Sequence, residues 1–221
     1  RSSDLKKQTL SIAFLILITF LFCLVILPFL PAQIPIHWNA EGVIDNWCDK
    51  LFLFLFPVLQ LVITVGFQFV RSTDPRRKNV ERFVSTCNVF LMVLCLLIFG
   101  MCLITAISAW KPDALDVPMA ITLGLGFLFA VMGNLMPKIR QNYFIGIKTP
   151  WALEDEDNWR RTHRMAGRLW FAAGLLMMLL SVLPKEILTG SILGLASAMA
   201  LVPYIYSYSL FRSKRMKGEN K

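Results

Sequence analysis

Six apolar runs of about bilayer length dominate this chain: Thr9 to Phe29, Leu51 to Val70, Phe83 to Ala109, Val117 to Met136, Leu169 to Leu183 and Ile187 to Leu210. A hydrocarbon core of ~30 Å takes roughly 20 residues of helix, because helices satisfy their backbone polar groups internally and lipid cannot. The runs therefore predict an all-α polytopic bundle of six transmembrane helices. The fifth is short, but Met165, Ala166 and Gly167 can lengthen it while Arg168 snorkels to the headgroups. At 56% hydrophobic residues and a mean hydropathy of +0.60 the chain is too apolar for an ordinary soluble domain.

The charges fall into blocks between the runs. Alternating the sides puts 20 of the 23 Lys and Arg on the face of the two termini, the segment 71–82 and the segment 137–168. Only Lys50, Lys111 and Lys185 fall on the other face. This bias places both termini in the cytoplasm and the protein in the cytoplasmic membrane. Blocked cations exclude a nucleic-acid groove, which would carry them along one solvated face, and suit contact with anionic lipid. Of the five Cys, only Cys48 lies outside an apolar run and no CxxC pair exists, so neither a disulfide framework nor a cysteine metal site is expected. The opening Arg1-Ser2-Ser3 lacks a Met and reads as a processing scar or trimmed start, with no removable signal peptide evident.

No Asp, Glu, Lys, Arg or His lies inside a run, which weighs against an ion-coupled carrier, where a buried charge would bind the driving ion. Gln60, Thr64, Asn88 and Asn134 are expected to form interhelical hydrogen bonds. Gly190 and Gly194, four apart, are expected to admit a neighbouring helix of the bundle, a dimer seam being the alternative. Pro57 should bend the second span.

The outer segment 30–50 contains Pro31, Pro35 and a turn-rich stretch from Asn39 to Gly42, which predict an ordered loop. His37, Trp38 and Trp47 belong at headgroup level. His37, Glu41, Asp45 and Asp49 recur every four residues, and a continuous helix would bring them together as metal ligands; Pro35 and Gly42 argue against that helix, so no metal is the leading expectation.

The inner segment reads PKIRQNYFIGIKTPWALEDEDNWRRTHRMAGRLWF from Pro137. Asn142 to Gly146 predicts a turn, and Thr149-Pro150 a rigid step. The acids Glu154 to Asp157, followed by Arg160, Arg161, Arg164 and Arg168, match the macrodipole of a helix starting near Glu154 or Asp155 and running into the fifth span. Trp159, His163, Ala166 and Trp170 would share one face, and Arg160, Arg164 and Arg168 another. The arginine face suits lipid headgroups; Lys148, Thr149 and His163 could equally receive a ligand or partner.

These two segments resemble known motifs. IPIHWNAEGVIDNWCDK resembles the Pro-x-His-Trp-Asn-x-x-Gly-x-x-Asp pattern of a bacterial membrane domain, matched by His37, Trp38, Asn39, Gly42 and Asp45. NYFIGIKTPWALEDEDNWRRTHRMAGRLWF is similar to the signature of the SdpI-type immunity protein family, matched by Asn142, Gly146, Thr149, Trp151, Leu153, Trp159 and His163. The resemblance implies protection of a cell against a secreted toxin peptide that attacks membranes, with the outer motif facing the toxin. In its best-known members it also implies holding a small winged-helix repressor at the membrane, with the inner motif, including Lys148 and Arg164, doing the signalling. Lys148 replaces the usual Arg, and Glu154-Asp155 the usual Ser-rich cap, which bears on repressor and anion recognition.

No enzyme and no cofactor are expected. The chain has two His on opposite sides of the membrane and neither HExxH nor GxSxG; Ser-x-x-Lys at Ser3 and at Ser108 lacks companion motifs. A membrane enzyme or metal-dependent protein using His37 or His163 is one alternative, and a transporter of an apolar substrate the other. Three segments follow: 1–82 with two spans and the outer motif, 83–136 with the third and fourth spans, and 137–221 with the inner motif and the last two spans.

Overall fold

A computed structural model describes residues 2–218, without the side chains of Ser2, Lys185 and Glu186. Arg1 and Lys221, counted in the charge pattern, lie outside the described residues. The chain is mostly helical: α1 (Ser2–Ile26), α2 (Leu55–Thr73), α3 (Arg77–Arg82), α4 (Val84–Trp110), α5 (Val117–Leu135), α6 (Pro150–Glu154), α7 (Glu156–Leu180) and α8 (Lys185–Met216). Among the described residues five stretches are long and apolar enough to cross a membrane: Ser3–Phe29, Lys50–Thr73, Val84–Trp110, Val117–Lys138 and Ile187–Met216. The expected fifth run lies in α7, whose 25 residues begin with charged turns that dilute its apolar half. Apolar side chains such as Leu10, Phe14, Leu61, Val62, Leu193 and Leu201 are exposed along α1, α2 and α8. So much bare apolar surface would not survive in water, and it suits lipid.

The expectation of helix alone fails in the outer segment. There β1 (Gln33–Trp38) and β2 (Ile44–Asp49) form an antiparallel hairpin. Pro35 cannot serve a helix interior but is tolerated in a two-stranded sheet, where Ile34, Ile36 and Ile44 favour extended backbone. The register slips between Pro35 and His37 and again between His37 and Trp38, a bulge that turns the hairpin tip. Ile34 is fully buried among Cys23, Leu30, Leu53, Cys102 and Ala106, which pins the hairpin to the ends of α1 and α4. A 3-10 stretch, Lys50–Phe54, then leads into α2.

One group of helices packs α1 and α2 on α4; the other packs α7 between α5 and α8, with α4 and α5 in contact. Gln60 Nε2 donates to the Cys95 carbonyl at 2.8 Å and Asn88 Nδ2 to Gln8 Oε1 at 3.3 Å, the interhelical bonds expected of them. Thr64 donates to Gln60 O of its own helix and also meets the Cys95 thiol of α4, while Asn134 is exposed. Gly190 and Gly194 face open space, not a helix of the bundle. The close seam lies elsewhere, between antiparallel α5 and α7: a Cβ on Gly133 would sit 2.6 Å from Gly167 O, and one on Gly174 would sit 2.5 Å from Gly126 O. Four glycines let these backbones touch, as small residues do where no hydrophobic effect separates helix from lipid. Pro57 falls in the first turn of α2, where its missing N–H is harmless, so the proline inside a helix is Pro203 of α8.

Candidate functional site

Two assemblies of polar residues stand at the ends of the bundle. In the outer one, Asn39 closes the hairpin tip. Its Oδ1 accepts from Val43 N at 2.9 Å, its own N–H donates to Val43 O at 2.9 Å, and Gly42 N–H donates to Asn39 O at 2.9 Å. Gly42 has φ +79°, a left-handed conformation that favours glycine. His37 Nδ1 lies 2.5 Å from Asp45 Oδ1 across the bulge, with both side chains exposed, so the pair fixes geometry more than it stabilises. Four residues of the outer motif, His37, Asn39, Gly42 and Asp45, thus serve one small turn. Asp45 meets His37, but among the described residues Glu41 and Asp49 do not join them, because a hairpin replaces the helix that would have aligned the four. Among the described residues no group of three or more His, Cys, Asp or Glu could hold a metal. Trp38 lines an apolar groove of about 260 Å³ with Val117, Pro118 and Ile121 of α5 and Leu188 and Ile192 of α8, and its indole Nε1 is buried without a hydrogen-bond partner among the described residues. On the other side of the tip, Glu41, Val43, Trp47, Asp113 and Asp116 line an open acidic cleft of about 500 Å³.

Asn39→Ala removes the side-chain acceptor of this turn, at a cost of about 1 kcal/mol to the hairpin. The expected outcome is a protein that still reaches the membrane, with faster amide hydrogen exchange in the hairpin than wild type shows at the same pH.

The inner assembly is larger and better buried. Asn142 is fully buried and completely bonded: Oδ1 accepts from Phe144 N at 2.9 Å and Ile145 N at 2.6 Å, while Nδ2 donates to Arg140 O at 2.8 Å and Ile145 O at 2.9 Å. The loop it shapes delivers Gly146 (φ +109°) onto His163, where a Cβ would stand 2.4 Å from Nε2. Ile147 N–H donates to His163 Nε2 at 3.1 Å, and His163 Nδ1 meets the Trp159 carbonyl at 2.9 Å. A carbonyl only accepts, so the proton sits on Nδ1 and the ring is neutral. Trp159 stacks on the imidazole at 4.1 Å and donates from Nε1 to Ile139 O at 2.9 Å. Both aromatic residues are buried, as their expected shared face requires.

Burial pushes the His163 pKa down from 6.5 to about 4, against a smaller upward pull from the Trp159 carbonyl. The unfolded chain then binds more protons than the folded one between those values. The contribution of neutral His163 is complete above pH ~6.5, falls as pH drops toward 4, and amounts to roughly 3 kcal/mol. In neutral detergent the melting temperature of the wild type should drop between pH 7 and pH 4.5 by several degrees more than that of His163→Gln.

Thr149 caps α6 by accepting from Ala152 N at 3.1 Å, with Pro150 at the first helical position. Its Oγ1 also lies 2.5 Å from Ser207 Oγ of α8. Ser207 Oγ donates to Asn158 Oδ1 at 2.8 Å, Thr162 Oγ1 donates to the same atom at 3.1 Å, and Asn158 Nδ2 donates to Ser207 O at 2.9 Å. These four polar residues, all buried, tie the loop, α7 and α8 together. Trp151 packs among Tyr204, Tyr208 and Phe211, with ring centroids 5.0–5.9 Å apart. Leu153 supplies a carbonyl: Gln141 Nε2 donates to Ala152 O at 2.8 Å and Leu153 O at 2.9 Å, and Arg76 Nη2 to Leu153 O at 3.2 Å, satisfying the end of α6.

The helix of the inner segment begins at Glu156, with Asp155 as its cap, after Glu154 has closed α6. Asp157 is held below the usual carboxylate range by Arg160 and then Lys214, against partial burial. Lys214 also lies 2.6 Å from Asp155. Lys148 and Arg164 stay outside this assembly, exposed, and Arg160 and Arg168 are exposed on the same side of α7 as Arg164. Sequence reasoning missed Asp74, Arg76, Asn79, Gln141, Asn158, Thr162 and Ser207. Asp74 is buried and accepts from Arg76 N at 2.6 Å and Tyr143 N at 3.1 Å, and Asn79 Nδ2 donates to Gln141 O at 2.9 Å. The turn after α2 therefore grips the inner loop.

Residues 138–207 match the SdpI/YfhL protein family, and residues 14–61 match a domain of unknown function, DUF1648. The matched segments contain most of the inner and the whole of the outer assembly. Over 214 residues the chain is 23% identical to the immunity protein SdpI of Bacillus subtilis strain 168, covering 97% of this chain and 99% of that protein. No solved structure matches. The chain is thus a multi-pass cell-membrane protein, similar to the SdpI/YfhL protein family across its inner assembly and to an immunity protein over nearly its full length.

Proposed function

We propose that this protein protects its cell against a secreted peptide toxin, the toxin being met at the outer hairpin and the encounter reported by the inner assembly. The parallel with an immunity protein over 97% of the chain carries this reading. In it, α7 is a sixth span, both termini are cytoplasmic, and the 20-to-3 division of cations sets that orientation. The segments 1–82, 83–136 and 137–221 then correspond to toxin contact, bundle core and reporting. The outer motif residues His37, Trp38, Asn39, Gly42 and Asp45 shape the contact surface. Asn142, Gly146, Thr149, Trp151, Trp159 and His163 hold the inner loop, leaving Lys148 and Arg164 exposed for a cytoplasmic partner such as a small repressor.

The path of α2 supports a signalling role. Strand β2 runs through Lys50–Phe54 into α2, and the residue after α2, Asp74, bonds the inner loop at Tyr143. One helix thus joins the two assemblies, so a shift of the hairpin has a direct mechanical route to the loop. Both ring nitrogens of His163 are occupied by backbone groups, which suits support of the loop more than proton transfer. Expression in a strain sensitive to the cognate toxin tests the reading: survival is expected to rise, and unchanged killing with the protein present in the membrane would refute it.

A further inference from the structure

We propose that the groove between the charged ends of α1, α2 and α4 binds the phosphodiester headgroup of an anionic phospholipid. Leu5, Lys6, Thr9 and Leu10 of α1, Arg71 of α2 and Asn88 of α4 line it, around a volume of about 450 Å³. Lys6 precedes the apolar run that begins at Thr9, and Arg71 directly follows the run that ends at Val70. Both cations therefore sit where phosphates lie in a bilayer. Neither forms an ion pair with a described residue. Two uncompensated cations converging on one groove repel each other, and an anion between them removes that cost.

The floor is built and polar. Asn88 is 96% buried, at 4% exposure, and donates to Gln8 Oε1, while Gln8 Nε2 donates to Ser85 Oγ at 2.9 Å. These bonds clamp α1 to α4 beneath the groove and fix its width. The wall is apolar and leads outward: Leu10 heads a stripe continued by Phe14, Leu17 and Leu21, all exposed on one face of α1. A phosphate held by Lys6 and Arg71 would lay its acyl chains along this stripe. A free anion could use the cations but not the stripe. Basic pockets between spans recognise lipid headgroups in this way. The site does not depend on the immunity reading, since its ligand is a constituent of the membrane.

The test uses the full chain, stripped of lipid in a neutral detergent. Phosphatidylglycerol, phosphatidylcholine with the same acyl chains, and inorganic phosphate are each titrated, with binding followed by native mass spectrometry and melting temperature. Phosphatidylglycerol should bind at least about tenfold more tightly than phosphatidylcholine and raise the melting temperature, while inorganic phosphate leaves it unchanged. Lys6→Gln/Arg71→Gln should erase the preference, and Lys7→Gln/Lys78→Gln, which removes the same charge elsewhere, should keep it. Equal binding of the two lipids, a preference that survives loss of Lys6 and Arg71, or a full effect from inorganic phosphate alone would each overturn the proposal. If the double variant does not purify, the single Lys6→Gln and Arg71→Gln variants must each lose part of the preference, and an unaltered preference in both would be equally contradictory.

Discussion

Replacing Gly133 with Ala should leave little folded protein in the membrane. The added methyl would stand 2.3 Å from Phe171 N and 2.6 Å from Gly167 O, and both obstacles are backbone. No rotamer change can relieve such a contact, so α5 and α7 must separate. Overpacking of this severity costs about 3 kcal/mol or more, a large part of the stability of a domain this size. Fluorescence-detected size exclusion should show a collapsed monodisperse peak for Gly133→Ala, and the same loss for Gly174→Ala. Gly190→Ala and Gly194→Ala, whose surroundings are open, should elute as wild type does.

Gly146→Ala should have the second large effect, through a different mechanism. At φ +109° an L side chain is strained by about 1–2 kcal/mol, and its Cβ would fall 2.4 Å from His163 Nε2, displacing the ring and breaking the bond from Ile147. Losing that bond adds about 1 kcal/mol. The bundle itself does not depend on this loop, so the variant should insert and remain monodisperse while its melting temperature falls by several degrees. The pH dependence assigned to His163 should shrink as well, because the displaced ring regains solvent. A Gly146→Ala protein with wild-type melting behaviour at pH 7 and at pH 4.5 would show that the loop does not rest on His163.

The sequence revealed those features that follow from local patterns. Span positions follow from long apolar runs. The start of α7 was legible to within two residues because acids, then arginines, mark a helix N-terminus, and the buried face of Trp159, His163 and Ala166 followed from helical spacing. Features that depend on partners distant in the chain were not legible. Gly126, Gly133, Gly167 and Gly174 carry no mark of pairing until α5 and α7 are laid antiparallel, whereas the conspicuous Gly190 and Gly194 meet nothing. Ser207 sits in an apolar run and gives no sign that Thr149 and Asn158 will converge on it from 58 and 49 residues away. Asp74 looked like one more charge in a cytoplasmic block; burial beside Tyr143 N makes it structural. The outer segment was legible as an ordered, non-helical loop; its pairing into strands was not, because prolines and a bulge interrupt the alternation that marks a hairpin.

Everything proposed for function requires the outer hairpin and the inner loop to face opposite sides of the membrane. Thiol labelling of intact cells with a membrane-impermeant maleimide measures this directly, using Cys48 as the outer reporter and Lys148→Cys in a Cys48→Ser background as the inner one. Cys48 should label in intact cells, and Lys148→Cys only after permeabilisation. Labelling of Lys148→Cys in intact cells, with Cys48 protected until the cells are opened, would invert the orientation and remove the basis for the proposed receptor.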